Sequence, residues 1–244
     1  MTTGPLLVDL LVVDDDAPTR RYFELAARGL KLTVRACADP SQARELLLEV
    51  RVKLLVTDLH LAGASAEELV QHVTQLPQET RPEIVLMTGG LSDEVQLRFR
   101  NLGVQRFWKK PIPLDVLRSE LSGLGVAPGS SPPPKAGNAA DEFFNGNHTL
   151  YARYRAQTLP RLLQDIQAAD HASAGHDLAA LAGVMHNLKT VLRLIGQPAE
   201  SAAAQTLEEQ ARHGDRQQCS LGWRHLRAAL HALSAEGDLS LIHI

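Results

Sequence analysis

The sequence predicts an α/β protein in two parts: a five-stranded, parallel, doubly wound sheet, followed by an all-α four-helix bundle. Three observations support this. Short apolar runs alternate with amphipathic segments over residues 6–124, strand-like runs disappear beyond residue 141, and a Pro, Gly and Ser-rich segment separates the two regions. A chain of 244 residues is long enough for two domains that each bury their own core.

The N-terminal region contains five apolar runs that are predicted to be strands. They lie at residues 10–13, 32–36, 53–57, 83–87 and 104–108. Helix-patterned segments follow them near residues 17–29, 40–50, 65–76, 92–102 and 113–122, often opening with Pro, Ser or Asp. Nearly continuous apolar strands that alternate with helices indicate a parallel sheet covered on both faces.

The C-terminal region is predicted to be helical throughout. Residues 125–141, GVAPGSSPPPKAGNAAD, have almost nothing to bury and are interpreted as a linker between domains 1–124 and 142–236. The candidate helices lie near residues 143–169, 176–195, 198–213 and 217–235, and their short connections favour an antiparallel bundle. Residues 237–244 end in LSLIHI, which fits neither pattern and is interpreted as foreign sequence.

Composition and charge exclude several classes of function. The formal net charge is −3 and the basic residues are dispersed, so we expect no nucleic-acid partner. Cys37 and Cys219 are far apart, which argues against a disulfide framework or a thiolate metal site and favours the cytoplasm. Without an apolar run near the ~18 residues of a membrane span, we expect no direct membrane insertion.

Polar and charged residues follow four of the five predicted strands. They are Asp14, Asp15 and Asp16 after the first strand, Asp58 after the third, Thr88 after the fourth, and Lys109, Lys110 and Pro111 after the fifth. Each alone fits a helix cap or a surface position, but the carboxyl ends of parallel strands meet in one crevice. Converging carboxylates indicate an oxygen-ligand site for Mg²⁺, and a nearby hydroxyl and ammonium suit a phosphoryl group.

The motifs LLVVDDD, VTDLHLAG, LMTGG and WKKP give residues 6–124 a clear family resemblance. In this order and spacing they resemble a response-regulator receiver domain, which has a flavodoxin-like fold. The resemblance implies that Asp58 is the phosphoacceptor and that Asp14 and Asp15 hold Mg²⁺ with it. It also implies that Thr88 and Lys110 contact the phosphoryl group, and that Phe107 is the aromatic position coupled to the Thr switch.

The chain departs from the receiver pattern in the segment after Asp58. Ala62 and Ala66 stand where the family commonly has Pro and Gly, so we expect a loop of different shape. His60 lies two residues after the acceptor, where the family adjusts hydrolysis of the phosphorylated form. The lifetime of phospho-Asp58 is therefore left open.

His186 lies in the helix-patterned segment GVMHNLKTVLRLIG, residues 183–196. Apolar residues recur there at three- and four-residue intervals and form one stripe. At 100° per residue His186 points about 120° away from that stripe, so we expect its imidazole to face water beside Lys189, Thr190 and Arg193.

Residues 142–236 resemble a histidine phosphotransfer (HPt) domain. Its motif is a His followed at +2 by Leu and at +3 by Lys, as in HNLK here, and LEEQARHGD echoes the downstream pattern. Thr190 departs from the Gly that commonly follows the Lys. The resemblance implies that His186 exchanges phosphoryl with a receiver aspartate. Lys189, and Arg193 if it lies close enough, would offset the added negative charge.

Together these features predict a bacterial two-component phosphorelay protein. No ATP-binding motif is present, so we expect a phosphotransfer protein rather than an enzyme, supplied by a sensor or hybrid histidine kinase. The other partner is a separate receiver or HPt protein, unless transfer occurs within the chain. Two alternatives remain: a phosphorylation-regulated interaction switch without relay through His186, and a fragment of a larger hybrid kinase or response regulator.

Overall fold

A computed structural model of the chain describes residues 6–28, 30–61, 64–90, 92–123 and 138–240, and the side chains of all of these except residues 64 and 236–240. The chain divides into two compact units, Met1–Pro133 and Pro134–Ile244. Residues 125–137 of the predicted linker, and Ala62, lie outside the described residues.

The first unit contains the predicted five-stranded parallel sheet. Its strands are β1 (Leu6–Val13), β2 (Val34–Cys37), β3 (Val50–Asp58), β6 (Glu83–Thr88) and β7 (Arg106–Lys109). They lie in the order β2-β1-β3-β6-β7 and every pair is parallel. This flavodoxin-like order confirms the predicted fold class. The segments interpreted as strands from the sequence each overlap one of these five.

Five helices accompany the sheet at the predicted places. They are α1 (Ala17–Ala27), α2 (Pro40–Glu49), α3 (Ala66–Thr74), α4 (Asp93–Asn101) and α5 (Leu114–Ser122). Four of them begin after a side chain that accepts a backbone N–H of the first turn: Asp16, Asp39, Ser65 and Ser92. Such caps satisfy N–H groups that have no partner within the helix, and they explain why each helix begins where it does.

A short antiparallel pair follows the end of β3. It joins β4 (His60–Leu61) to β5 (Ala64–Ser65), with His60 opposite Ser65. The sequence analysis did not predict this pair. It lies in the segment where the chain departs from the receiver pattern and carries the chain from Asp58 into α3.

The strand register aligns the polar ends of the strands. Val13 pairs with Thr57, and Asp58 pairs with Met87, while Leu54, Leu55 and Val56 of β3 are fully buried. Asp14 and Asp58 therefore leave the sheet at the same edge, immediately beyond a core that excludes water. Burial of that apolar core fixes where the polar groups emerge.

The second unit is all helical. Its α-helices are α6 (Ala139–Phe144), α7 (His148–Thr158), α8 (Leu162–Ala174), α9 (Leu178–Leu194), α10 (Pro198–Arg212) and α11 (Arg216–Ser240), with a 3-10 turn at Leu159–Arg161. Helix α9 packs against α8 and α10, and α11 packs against α10 and α8, so these four close into a bundle. Among the described residues, no helix is both long and apolar enough to cross a membrane.

The boundaries of three predicted segments differ in the structure. The single helix predicted over residues 143–169 is broken, because Asn145 and Gly146 adopt positive φ and Pro160 lies in the 3-10 turn. Helix α6 begins inside the predicted linker, since Asn138 caps it by accepting the N–H of Asp141. Helix α11 continues to Ser240, into the segment interpreted as foreign sequence.

The close packing of α11 on α10 allows a matched stability test. An ideal Cβ on Gly222 would lie 2.7 Å from Cδ2 of the buried Leu207. We therefore expect Gly222→Ala to lower the free energy of unfolding of the bundle by about 1–3 kcal/mol, measured by denaturant titration. Gly183, on α9, has nothing within 4 Å of such a Cβ, so Gly183→Ala should instead stabilise by about 0.5–1 kcal/mol. Equal effects of the two substitutions would contradict the packing argument.

Candidate functional site

Two buried carboxylates and one ammonium form the centre of the site in the first unit. Asp14 follows β1, Asp58 ends β3, and both are fully buried. Lys110 Nζ lies 2.7 Å from Asp14 Oδ2 and 2.8 Å from Asp58 Oδ2. Lys110 is itself buried, yet the two carboxylates outweigh the effect of burial and raise its pKa, so it remains an ammonium.

The three consecutive aspartates after β1 have different roles. Asp16 caps α1 by accepting the N–H and the hydroxyl of Thr19, at 2.8 and 2.7 Å. Asp14 Oδ1 accepts the N–H of Asp16, which holds the turn, and its Oδ2 faces Lys110. Arg20 donates from Nη1 to the backbone carbonyls of Asp14 and Asp15, at 2.6 and 2.9 Å. The helix-cap interpretation is thus correct for Asp16, while Asp14 lies in the site.

The acidic side chains fit a divalent cation. Asp14, Asp15 and Asp58 each place one carboxylate oxygen within 4.8 Å of the other two. Asp58 Oδ1 is buried and accepts no hydrogen bond from the part of the chain that the structure describes. A buried carboxylate oxygen without a donor is costly, and a hard cation with oxygen ligands would satisfy it. The predicted metal-binding residues are therefore brought together.

Proton binding at Asp14 should compete with metal binding. Burial raises the pKa of Asp14 to about 7 despite the opposing charge of Lys110, and the charge of Asp58 adds to the increase. A protonated Asp14 must lose its proton to bind a cation. We expect the Mg²⁺ affinity, measured calorimetrically at pH 8, 7 and 6, to fall below pH 7 by up to about tenfold per pH unit. Equal dissociation constants from pH 6 to 8 would contradict this.

Thr88 and Phe107 lie on β6 and β7, the two strands that follow β3 in the sheet. Thr88 ends β6, is buried, and donates from Oγ1 to the carbonyl of Gly90 at 2.6 Å. Its own carbonyl accepts the N–H of Lys110 at 2.8 Å, which ties the ends of β6 and β7 together. Phe107 is partly buried against the core, with the Arg100 guanidinium 5.7 Å from its ring centroid. The hydroxyl predicted to contact a phosphoryl group thus ends β6, and the predicted ammonium directly follows the adjacent strand β7.

The prediction that His186 faces water is wrong. Its Nδ1 lies 2.8 Å from Oε1 of Glu208 on α10, so the imidazole is turned toward the neighbouring helix. The helical wheel of α9 alone does not show that α6, α8 and α10 all pack on this helix and bury most of its circumference. The polar face of α9 that carries His186 is therefore in contact with a polar side chain of α10, Glu208.

Glu208 is the residue of this second site that the sequence analysis missed. It is 4% exposed, and its Oε2 lies 2.5 Å from Lys189 Nζ, while Arg212 Nη2 lies 2.7 Å from Oε1. A signal was present, because Glu208 shares the buried stripe of α10 with Ala204, Leu207 and Ala211. A charged residue on an apolar stripe indicates a buried partner. Lys189 therefore contacts a carboxylate next to the imidazole.

Arg193 belongs to a different contact. Its Nη2 lies 3.0 Å from Oε1 of Glu142, and its guanidinium lies 5.6 Å from the ring centroid of Phe143, both on α6. Two turns along α9 from His186, it holds α6 against the bundle. The cation that the structure places beside the Glu208 carboxylate, in addition to Lys189, is Arg212.

Comparisons with known proteins bear on the first unit. The family model of the response regulator receiver domain matches residues 10–122. The response regulator protein PilR of Pseudomonas aeruginosa is 32% identical over 108 residues, which are 44% of this chain and 24% of PilR. An uncharacterized 14.6 kDa protein of Leptolyngbya boryana is 32% identical over 113 residues, covering 46% of this chain and 86% of that protein.

Solved structures are also similar to part of the chain. The chemotaxis protein CheY4 of Vibrio cholerae is 20% identical, with a TM-score of 0.45, covering 48% of this chain and 98% of CheY4. A putative response regulator from Chloroflexus aurantiacus is 24% identical, with a TM-score of 0.43, covering 50% of this chain and 98% of that protein. Through residues 10–122, the chain belongs to the response regulator receiver-domain family.

Proposed function

We propose that the chain is a two-component phosphorelay protein in which Asp58 and His186 each carry a phosphoryl group. The observation that carries the proposal is the cluster of Asp14, Asp58 and Lys110, a buried acidic pocket with one ammonium. The match to the receiver-domain family supports the role of Asp58. The HNLK motif on a four-helix bundle supports the role of His186.

The first step is transfer of phosphoryl from a phosphohistidine donor to Asp58. The P–N bond of the donor breaks, an oxygen of Asp58 forms the new P–O bond, and the imidazole departs with the electron pair of the broken bond. Mg²⁺ bound by Asp14, Asp15 and Asp58 would neutralise the oxygens of the phosphoryl group. Lys110 is placed to stabilise the same negative charge, and we assign Thr88 to the phosphoryl contact as well.

The second step joins phosphoryl to His186. An acyl phosphate P–O bond on a receiver aspartate breaks, and a P–N bond to the imidazole forms as the aspartate leaves as a carboxylate. Because Nδ1 of His186 is engaged with Glu208, we assign the bond to Nε2. Lys189 offsets negative charge beside the ring through its contact with Glu208.

The same proposal defines the partners. A sensor or hybrid histidine kinase supplies phosphoryl, and a separate receiver or HPt protein exchanges it with this chain. We propose a cytoplasmic phosphotransfer protein that binds no ATP and no nucleic acid, with Mg²⁺ as its only cofactor.

The test follows labelled phosphoryl through the whole chain. The protein is incubated with Mg²⁺ and either a labelled histidine kinase or a labelled separate receiver, then treated with acid or alkali. Acyl phosphate is lost in alkali, whereas phosphohistidine is lost in acid and survives alkali. We expect His186→Gln to abolish the alkali-stable label and to leave the alkali-labile label intact.

His213→Gln is the matched control, because His213 is an exposed histidine of the same unit. It should retain both kinds of label. Alkali-stable label that persists in His186→Gln would contradict the relay. Wild-type protein that carries only alkali-labile label would identify the chain as a receiver-regulated switch instead.

A further inference from the structure

Helix α1 contacts the acidic pocket through Arg20, four residues after the cap at Asp16. Nη1 of Arg20 donates to the backbone carbonyls of Asp14 and Asp15, at 2.6 and 2.9 Å. Successive carbonyls of an extended strand point to opposite sides, whereas these two converge on one guanidinium nitrogen. The contact therefore fixes the backbone from which both carboxylates project.

The same helix contacts a second part of the pocket through Tyr22. Tyr22 is buried, and its hydroxyl donates to the carbonyl of Ile112 at 2.7 Å. Ile112 lies two residues after Lys110, whose own N–H is bound by the carbonyl of Thr88 at 2.8 Å. The backbone that carries Lys110 is thus held by β6 before this residue and by α1 after it.

We propose that Arg20 and Tyr22 are positioning residues through which α1 sets the geometry of the acidic pocket. Arg20 holds the turn that bears Asp14 and Asp15, and Tyr22 holds the segment that bears Lys110. The inference rests on the proposed function, because this geometry matters for binding Mg²⁺ and for phosphoryl transfer. Mg²⁺ demands a nearly ideal octahedron of oxygens, and a displacement of about 1 Å in a reacting group can cost about 100-fold in rate.

The charge of Arg20 allows a positioning role to be separated from a purely electrostatic one. A cation beside three carboxylates repels a divalent ion, so an Arg20 that acted through charge alone would strengthen Mg²⁺ binding when it is removed. A positioning role predicts the opposite sign, because the metal-binding carboxylates lose their arrangement. Tyr22 is uncharged, so loss of its hydroxyl tests position alone.

The test of Arg20 is calorimetric titration of the full chain with Mg²⁺. We expect Arg20→Met to raise the dissociation constant by about 10- to 100-fold, as is typical when a residue that orients metal ligands is lost. Arg20→Gln, whose amide is two atoms shorter, should change it in the same direction and replaces Arg20→Met if that variant does not fold. Arg21→Met is the matched control, because Arg21 is the next residue of α1 and pairs with Glu24 at 2.6 Å. An unchanged or smaller dissociation constant in the folded Arg20 variant overturns its assignment.

The test of Tyr22 is the rate at which Asp58 takes up labelled phosphoryl from a histidine kinase. Tyr22→Phe removes the hydroxyl and keeps the buried ring. At saturating Mg²⁺ we expect uptake to slow by about 3- to 30-fold, while the Mg²⁺ concentration that gives half the maximal rate does not rise. Tyr151→Phe is the matched control, because the hydroxyl of Tyr151 donates to the carbonyl of Ile195 at 2.8 Å in the second unit. It should take up label at the wild-type rate.

The outcomes for Tyr22 and for the proposed function are distinct. Equal rates of Tyr22→Phe and Tyr151→Phe, or a slow rate of Tyr22→Phe that more Mg²⁺ restores, overturn the assignment of Tyr22. Wild-type protein that takes up no alkali-labile label overturns the proposed function, while the Mg²⁺ titrations still decide the role of Arg20.

Discussion

Asp58→Asn is expected to reduce phosphoryl incorporation from a labelled histidine kinase into the receiver unit to background. The amide keeps the shape of the side chain but has no anionic oxygen to attack phosphorus. Asp58 is fully buried beside Lys110, Asp14 and Asp15, and we assign the attack on phosphorus to its carboxylate. The measurement is alkali-labile label in the presence of Mg²⁺.

Two comparisons separate loss of the nucleophile from loss of the fold. Asp58→Asn removes a negative charge that faces Asp14, so the Mg²⁺-free variant should unfold at the wild-type temperature or above it. Asp9→Asn removes a carboxylate of the same sheet that pairs with Lys53 at 2.7 Å, and it should incorporate label normally. Undiminished labelling of Asp58→Asn would remove the basis for the receiver chemistry proposed here.

Lys110→Met is expected to impair both stability and chemistry. Its loss leaves the buried carboxylates of Asp14 and Asp58 without their shared cation, a change that typically costs about 3–5 kcal/mol. Thermal unfolding without metal should therefore occur at a much lower temperature. Saturating Mg²⁺ should restore a larger share of stability to this variant than to the wild type, because the ion supplies the missing positive charge. Phosphoryl uptake should slow by about 10²- to 10³-fold.

Lys109→Met provides the matched comparison for this substitution. Lys109 is the last residue of β7 and directly precedes Lys110, but it is exposed, so its removal should change neither the unfolding temperature nor the effect of Mg²⁺. Equal unfolding temperatures of Lys110→Met and Lys109→Met, with an equal effect of Mg²⁺ on both, would contradict a stabilising role of the buried ion pairs.

The sheet and the receiver site could be predicted from the sequence because their signals are local and periodic. Each central strand is an unbroken apolar run, and parallel strands necessarily end at one edge. Asp58 and Lys110 could thus be placed together across 52 positions of sequence without knowledge of side-chain conformations. The same reasoning placed Asp14 in the site but could not separate it from Asp16, since the cap is decided by the turn after β1.

The contacts of the helical unit were harder to predict because they depend on which helices meet. The periodicity of α9 identifies its apolar stripe, but nothing in α9 shows that Glu208 of α10 lies against His186. The break after α6 had a local signal, because Asn145 and Gly146 form a dipeptide typical of turns. The helical pattern on both sides of that dipeptide obscured it.

The composition of the acidic pocket determines which ions can occupy it productively. Three carboxylates, from Asp14, Asp15 and Asp58, and one ammonium, from Lys110, give a formal charge of minus two when all are ionised. One divalent ion makes the pocket electroneutral. Na⁺ or K⁺ would leave a net negative charge, which repels an approaching phosphate ester or phosphoramidate. We therefore expect Na⁺ or K⁺ not to support phosphoryl uptake at this position in place of a divalent ion.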